Sequence, residues 1–399
     1  MMGKKLVAVL FGLLVIGMTF GVEGAYASET QAATAEGVTV ILVSDNVADS
    51  AIAQYLANLT GAVVVTTTWG AYDPNVTAEI LAYAPDQVVI IGGPKAVVDE
   101  YITDLEEYGI TVYRWWGKNR YETNIAVINN ATKVLGLRFN ATVVAPGNDS
   151  ASIEVSLKLA LKVQGVILYV NESTNVTEVV KKLGVKNVVM VRSRASERVM
   201  EKLAKGLENC NCTAEEVEAN ITEEHVVRVL ERVQLRLIAL EEMANLTNST
   251  NLTERIGELY QLMEQANQSL RSGNYTEAYQ LALKLHVLTE FAMGDAHLEF
   301  VNALKSNERL GLWLGLRRLE VQVRVLERAG INVTSVKETI EKAEEAAEAG
   351  NYSVARVLLN KARKALHELY VQNRGAIRMN MGMGPKSWKA LGFGKGRRP

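Results

Sequence analysis

Gln87-Val88-Val89-Ile90-Ile91-Gly92-Gly93-Pro94-Lys95-Ala96-Val97-Val98-Asp99 is the stretch that decides the fold. Four β-branched residues in a row suit a strand buried on both faces, since a half-exposed strand would alternate apolar with polar side chains. Gly92-Gly93-Pro94 ends the strand, and an amphipathic pattern over 95–108 reads as a helix. Similar short runs recur at 38–43, 62–67, 111–113, 141–145, 165–170 and 187–191, with helical patterns such as 49–59 and 120–135 between them. Strand and helix in alternation predict an α/β module, a parallel sheet covered by helices, over residues 38–205.

From about Glu223 the β signal stops. Apolar residues recur every three or four positions over 226–243, 256–270, 276–291, 310–329, 336–349 and 354–370, with Glu, Lys and Arg on the other faces. That periodicity predicts helices. Gly273-Asn274-Tyr275-Thr276-Glu277-Ala278 returns 77 residues later as Gly350-Asn351-Tyr352-Ser353-Val354-Ala355. Val233-Gln234-Leu235-Arg236-Leu237 returns 88 residues later as Val321-Gln322-Val323-Arg324-Val325. The difference matches the length of an insertion over 245–255, so residues 223–370 read as two three-helix repeats forming an all-α bundle or coiled-coil rod. In each repeat Gly ends the second helix, Asn caps the third and Tyr packs the corner. The segment 206–222 between the two halves is the expected linker.

Lys4 and Lys5, an apolar stretch from Leu6 to Val22 and the small-residue pattern Ala25-Tyr26-Ala27 read as a signal peptide over 1–27, with a short linker over 28–37. An uncleaved anchor is the alternative. Sequons begin at Asn58, Asn75, Asn130, Asn140, Asn148, Asn171, Asn175, Asn211, Asn220, Asn245, Asn248, Asn251, Asn267, Asn274, Asn332 and Asn351, sixteen in all. Chance would give roughly three. A fivefold excess behind a signal peptide predicts a secreted, glycosylated cell-surface chain. Cys210 and Cys212 are too few for a disulfide scaffold, and in an oxidising compartment they either bond or remain thiols. The tail 371–399 carries seven basic residues and no acid. It reads as a flexible basic arm that, with Trp388, offers weak contact to an anionic surface. The body is acidic in consequence, which argues against nucleic acid as a partner.

Arg114-Trp115-Trp116-Gly117-Lys118-Asn119-Arg120-Tyr121-Glu122-Thr123 resembles the signature of the type 2 cell wall-binding repeat. The strand and Gly-Gly turn over 88–99 resemble the element preceding that signature, and Val43-Ser44 through Asp49-Ser50-Ala51 resembles an earlier one. The resemblance covers residues 38–200 and implies about two repeats, one degenerate, with Ser152 and Arg192-Ser193 replacing the expected acidic position and glycine turn. It implies attachment to envelope polymers, and with the dense sequons an archaeal-type envelope. Read from the residues alone, Gly117 permits a positive φ, Arg120 and Glu122 pair with neighbouring turns, Tyr121 packs with its hydroxyl wet and Thr123 bonds at the helix start. If the segment is extended, at least one of Trp115 and Trp116 should face out; an exposed ring is a natural sugar platform, and core packing is the alternative.

Catalytic patterns do not appear. Gly92-Gly93 lacks the rest of a phosphate loop, the four histidines lack metal-site spacing, and no nucleophile elbow is present. The expectation is therefore non-catalytic: no cofactor, no metal, and Asp49, Trp115, Trp116, Arg120 and Tyr121 as binding residues. The partners expected are envelope glycan, a surface-layer protein or further copies of the chain, with the helices as spacer. An enzyme or solute receptor with its site near Asn46, Asp49 and Gly92 is the rival reading.

Overall fold

The computed structural model describes residues 37–207 and 212–380. The signal peptide, almost all of the 28–37 linker, Cys210, Asn211 and positions 381–399 lie outside the described residues.

The first repeat runs β1 (Thr39–Ser44), α1 (Val47–Thr60), β2 (Val63–Thr67), α2 (Pro74–Ala82), β3 (Gln87–Ile91), α3 (Glu100–Glu107), β4 (Thr111–Trp115) and α4 (Arg120–Lys133). The second follows as β5 (Ala141–Pro146), α5 (Ser150–Val163), β6 (Gly165–Val170), α6 (Val176–Leu183), β7 (Asn187–Arg192), α7 (Glu197–Leu207) and β8 (Thr213–Glu218). Each forms a four-stranded sheet, in the orders β2-β1-β3-β4 and β6-β5-β7-β8. All pairings are parallel. Two similar sheets from two unequal sequences fit the reading of one clear and one degenerate repeat.

Two three-helix bundles follow. The first is α8 (Glu223–Thr247), α9 (Thr250–Arg271) and α10 (Tyr275–Ser306); the second is α11 (Glu308–Arg328), α12 (Thr334–Glu348) and α13 (Tyr352–Asn380). Gly273 and Gly350 both sit in the left-handed region, at φ 77° and 78°, where a glycine ends a helix without a Cβ clash. Asn274 then caps α10, its side chain accepting from the Glu277 amide.

The helices are not a rod standing off from the sheets. Val40, Leu42, Val88 and Ile90 on one face of the first sheet share a core with α2, α3 and α11–α13. Ile41, Val43, Val89 and Ile91 point the other way, onto α1 and α4, as period-two alternation requires. In the second sheet Val143, Ile167, Val189 and Val191 share a core with α1, α5 and α8–α10. Leu319, Val336 and Leu366 are each at most 1% exposed. At about 1.5–3 kcal/mol per buried aliphatic side chain, separating bundle from sheet would forfeit several such contributions. The expected spacer is thus part of the core.

Two boundaries also differ from expectation. Within 206–222 the chain forms β8, an edge strand exposed along nearly its whole length and paired with β7. The helix α13 runs ten residues into the expected basic arm, to Asn380. Arg374 there bonds the Pro85 carbonyl, and Arg378 donates to the Ala84 carbonyl and pairs with Asp86 at 2.7 Å. No helix among the described residues is long and apolar enough to cross a membrane.

Candidate functional site

In the first sheet β1 and β3 are neighbours, and the helices that follow them lie on opposite faces. A crevice opens outside their carboxyl ends at such a reversal. Asp45, Asn46 and Asp49 follow β1, and Gly92 follows β3. Asn46 caps α1, its Oδ1 accepting from the Ala48 amide at 3.0 Å. Gly92 adopts φ 122°, a conformation that favours glycine, and a Cβ there would lie in ordinary contact with Asp49 Oδ2 at 3.5 Å. Arg114, the first signature residue, fixes the turn from below. Its Nη1 donates to the Gly92 and Val97 carbonyls at 2.9 and 2.8 Å, and Nη2 to Asp99 at 3.0 Å.

The crevice is filled by the first bundle. Arg236 of α8 is fully buried and grips Asp45 with two bonds, Nε to Oδ2 at 3.0 Å and Nη2 to Oδ1 at 2.7 Å. Glu290 of α10 accepts from Asn46 Nδ2 at 2.6 Å and from Arg120 Nη2 at 3.0 Å. His286 lies one turn before it. Burial and the Arg236 charge lower the histidine's affinity for a proton. The neutral ring then accepts from Arg236 Nη1 at Nδ1 (3.2 Å) and donates from Nε2 to Glu290 Oε1 (3.2 Å). Burial pushes the Glu290 carboxyl up, but the His286 bond and both guanidiniums hold it below the ordinary range. Asn46 and Asp49 are only 3% and 7% exposed.

The second repeat answers this arrangement with hydroxyls gathered round one carboxyl. Asp149 caps α5 in the place of Asn46, and Ser152 stands where Asp49 does. Asp149 accepts from the hydroxyls of Ser152, Ser193 and Ser196 at 2.6–2.7 Å and from Tyr279 of α10 at 2.9 Å. One helix therefore reaches both caps, Tyr279 at the second repeat and Glu290 at the first. Eleven residues separate them, about 16 Å of helix.

The signature itself is a brace. Trp115 ends β4 and is buried at 6% exposure, whereas Trp116 is 47% exposed and lies over Gly93, where a Cβ would meet its ring at 2.9 Å. Gly117 is not among the left-handed glycines, contrary to the sequence expectation. It is required because a Cβ would stand 2.3 Å from Glu122 Cβ and 2.6 Å from the Glu122 backbone. Asn119 caps α4, and Glu122 accepts from the Lys118 amide at 3.0 Å. Thr123 Oγ1 accepts from the Gly117 amide at 3.0 Å. Arg120 reaches beyond its own turn, to the Gly147 carbonyl of the second repeat (3.2 Å) and to Glu290. Tyr121 is half-buried against Gly147.

Of the residues expected to bind, Asp49 and Arg120 thus meet in the buried joint, and Trp116 alone presents a broad apolar face outside. Arg236, Asp45, His286, Glu290, Asp149 and Tyr279 were not foreseen. The available signal was an arginine on the apolar stripe of α8, between Val233 and Leu240, whose burial demands an acid elsewhere.

No family model matches the chain. Among solved structures it is similar to Cwp6 from Clostridium difficile, with a TM-score of 0.36 and 17% identity, over 46% of this chain and 29% of that one. Over 256 residues it is 35% identical to the uncharacterized protein MJ0755 of Methanocaldococcus jannaschii, which covers 62% of this chain and 71% of the relative. By that likeness the chain belongs to the family of the Methanocaldococcus jannaschii protein MJ0755.

Proposed function

We propose that the chain is a non-catalytic, glycosylated surface protein that attaches to envelope glycan through the loops at the carboxyl end of its first sheet. The observation that carries this reading is Trp116. It is a large aromatic ring, half open to solvent, seated on a glycine and held by a turn whose every signature residue is already engaged. Such a ring offers a flat, amphipathic face to a sugar.

Sequon placement supports a surface location. Of the fifteen sequon asparagines among the described residues none is buried, while Asn46 and Asn124, which are not in sequons, are. Glycopeptide mass spectrometry of the native protein should find sugar at Asn245, Asn248 and Asn251, where α8 turns into α9. Bare asparagines at all three would remove the dense-coat reading.

Co-sedimentation of the full chain with native envelope tests the attachment. Trp116→Ala should weaken binding roughly threefold to tenfold, the equivalent of about 0.5–1.5 kcal/mol of aromatic contact, at an unchanged melting temperature. An unaltered affinity would discard the platform. A wild-type chain that never sediments would discard attachment itself.

A further inference from the structure

The first turn of α8 is closed by a histidine. The chain leaves β8 at Glu218, the Ala219 amide donates to the Arg192 carbonyl, and Thr222 then stands just before α8. His225, the third residue of the helix, folds back onto it. Its Nδ1 lies 3.2 Å from the Thr222 amide nitrogen and 2.8 Å from the Thr222 hydroxyl. A backbone amide only donates, so Nδ1 must present a lone pair, and the neutral ring carries its proton on Nε2. This is the reciprocal arm of a capping box, in the position that glutamate or glutamine fills in such a box. Unlike glutamine, histidine titrates near neutral pH.

The other ring nitrogen faces the second repeat. Nε2 stands 3.7 Å from Glu154 Oε2 on α5, an oxygen that Arg228 Nη2 already holds at 2.7 Å. The charged groups around the ring are Glu154 from α5, Asp149 from the turn before α5, and Glu224 and Arg228 from α8 itself. A proton arriving on Nδ1 ends one contact and strengthens another. The Thr222 hydroxyl can turn round and accept, but the amide cannot, and two N–H groups then face each other. The imidazolium is drawn towards Glu154 instead.

We propose that His225 is an acid-sensitive clasp on the junction between the second sheet and the first bundle, closed on the neutral ring and released when the ring takes up a proton. The inference is independent of what Trp116 binds. At the start of the second bundle the cap of α11 is Asn307, whose side chain accepts from the Leu310 amide and does not titrate.

Burial lowers the affinity of His225 for a proton, and the Arg228 charge acts the same way; together they outweigh the opposing pull of Glu154, Glu224 and Asp149. The closed turn thus binds the proton more weakly than the open one, where the ring returns to its ordinary value of 6.5. The clasp therefore contributes fully above 6.5, and its contribution is lost as pH falls through the lower, closed value.

Nitrogen-15 labelling of the four histidines in the full chain reads the ring itself, with His225→Gln identifying its signals. The neutral ring should carry its proton on Nε2 and titrate with a midpoint below 6.5. A proton on Nδ1, or a midpoint at or above 6.5, would overturn the proposal. Hydrogen–deuterium exchange, corrected for intrinsic rates, then reads the turn from peptides spanning 219–230. In the wild type, opening there should rise roughly twofold to tenfold from pH 8 to pH 5, the scale of a weakened helix cap. His225→Gln keeps an acceptor for the Thr222 amide and takes up no proton, so its protection should stay nearly level. Asp49 and Glu344 also titrate near 7, so the difference between the two chains is the measure. A His225→Gln chain with the wild-type pH dependence sinks the clasp.

Discussion

Arg236→Met lowers the stability of the chain by about 3–5 kcal/mol, the largest single effect expected anywhere in the molecule. The methionine fills much of the same volume, so the loss is electrostatic. Asp45 would remain beside the end of β1 with one bond, from the Trp69 amide at 3.0 Å, in place of three. Glu290 would lose one of the two guanidiniums that hold it ionised. A buried ion pair adds little over a well-packed apolar replacement, but breaking one from a single side strands its partner. Adding Asp45→Asn to Arg236→Met should therefore restore at least about 1 kcal/mol. Urea midpoints of the two single variants and the double one check this. Purely additive losses would mean that Arg236 acts through packing alone.

Gly117→Ala is expected to cost about 1–3 kcal/mol from overpacking, with up to about 2 kcal/mol more if the Asn119 cap is lost as the turn shifts. The new methyl would collide with the Glu122 backbone, which cannot rotate away as a side chain could. The displaced element would be the first turn of α4, which carries Arg120 into the joint. Gly257→Ala is the control. It lies within α9 with nothing within 4 Å of its would-be Cβ, and there alanine should stabilise by about 0.5–1 kcal/mol. Thermal melts of both variants give the comparison, and equal effects would show that Gly117 is conformational rather than steric.

What could be read in the sequence was what is local. β3 and β6 begin and end where their apolar runs do, because both faces are covered and every position records that burial. β8 was missed for the opposite reason. Thr213-Ala214-Glu215-Glu216-Val217-Glu218 is held by backbone pairing to β7 and buries almost nothing, so it carries no hydrophobic pattern. The helix expected over 276–291 runs fifteen residues further, to Ser306. In the fold Gly294 faces Trp69, and Met293, Ala296 and Phe300 keep the apolar stripe going. The signature turn was legible as a structural brace, since its bonds span three to six residues. The joint was not. Arg236 lies 191 residues from Asp45, and Glu290 lies 244 from Asn46. No periodicity reports a charge pair of that separation, although the unexplained polar residue on an apolar helix face marks one half of it.

The way the bundles cover the sheets also orders events as the chain is made. The core of the second sheet and first bundle uses residues from Val47 to Ala296. The core of the first sheet waits for α13, with Tyr370 bonding the Leu81 carbonyl and Ile377 among its last members. The repeat synthesised first is therefore completed last. At about 5–20 residues per second, its Val40–Leu42–Ile90 face stays without its final cover for roughly 15–60 seconds after β3 emerges. Through that interval the nascent chain carries an open apolar sheet face. Truncations before α13 would make that exposure permanent and send the shortened protein towards aggregation rather than towards a smaller folded unit.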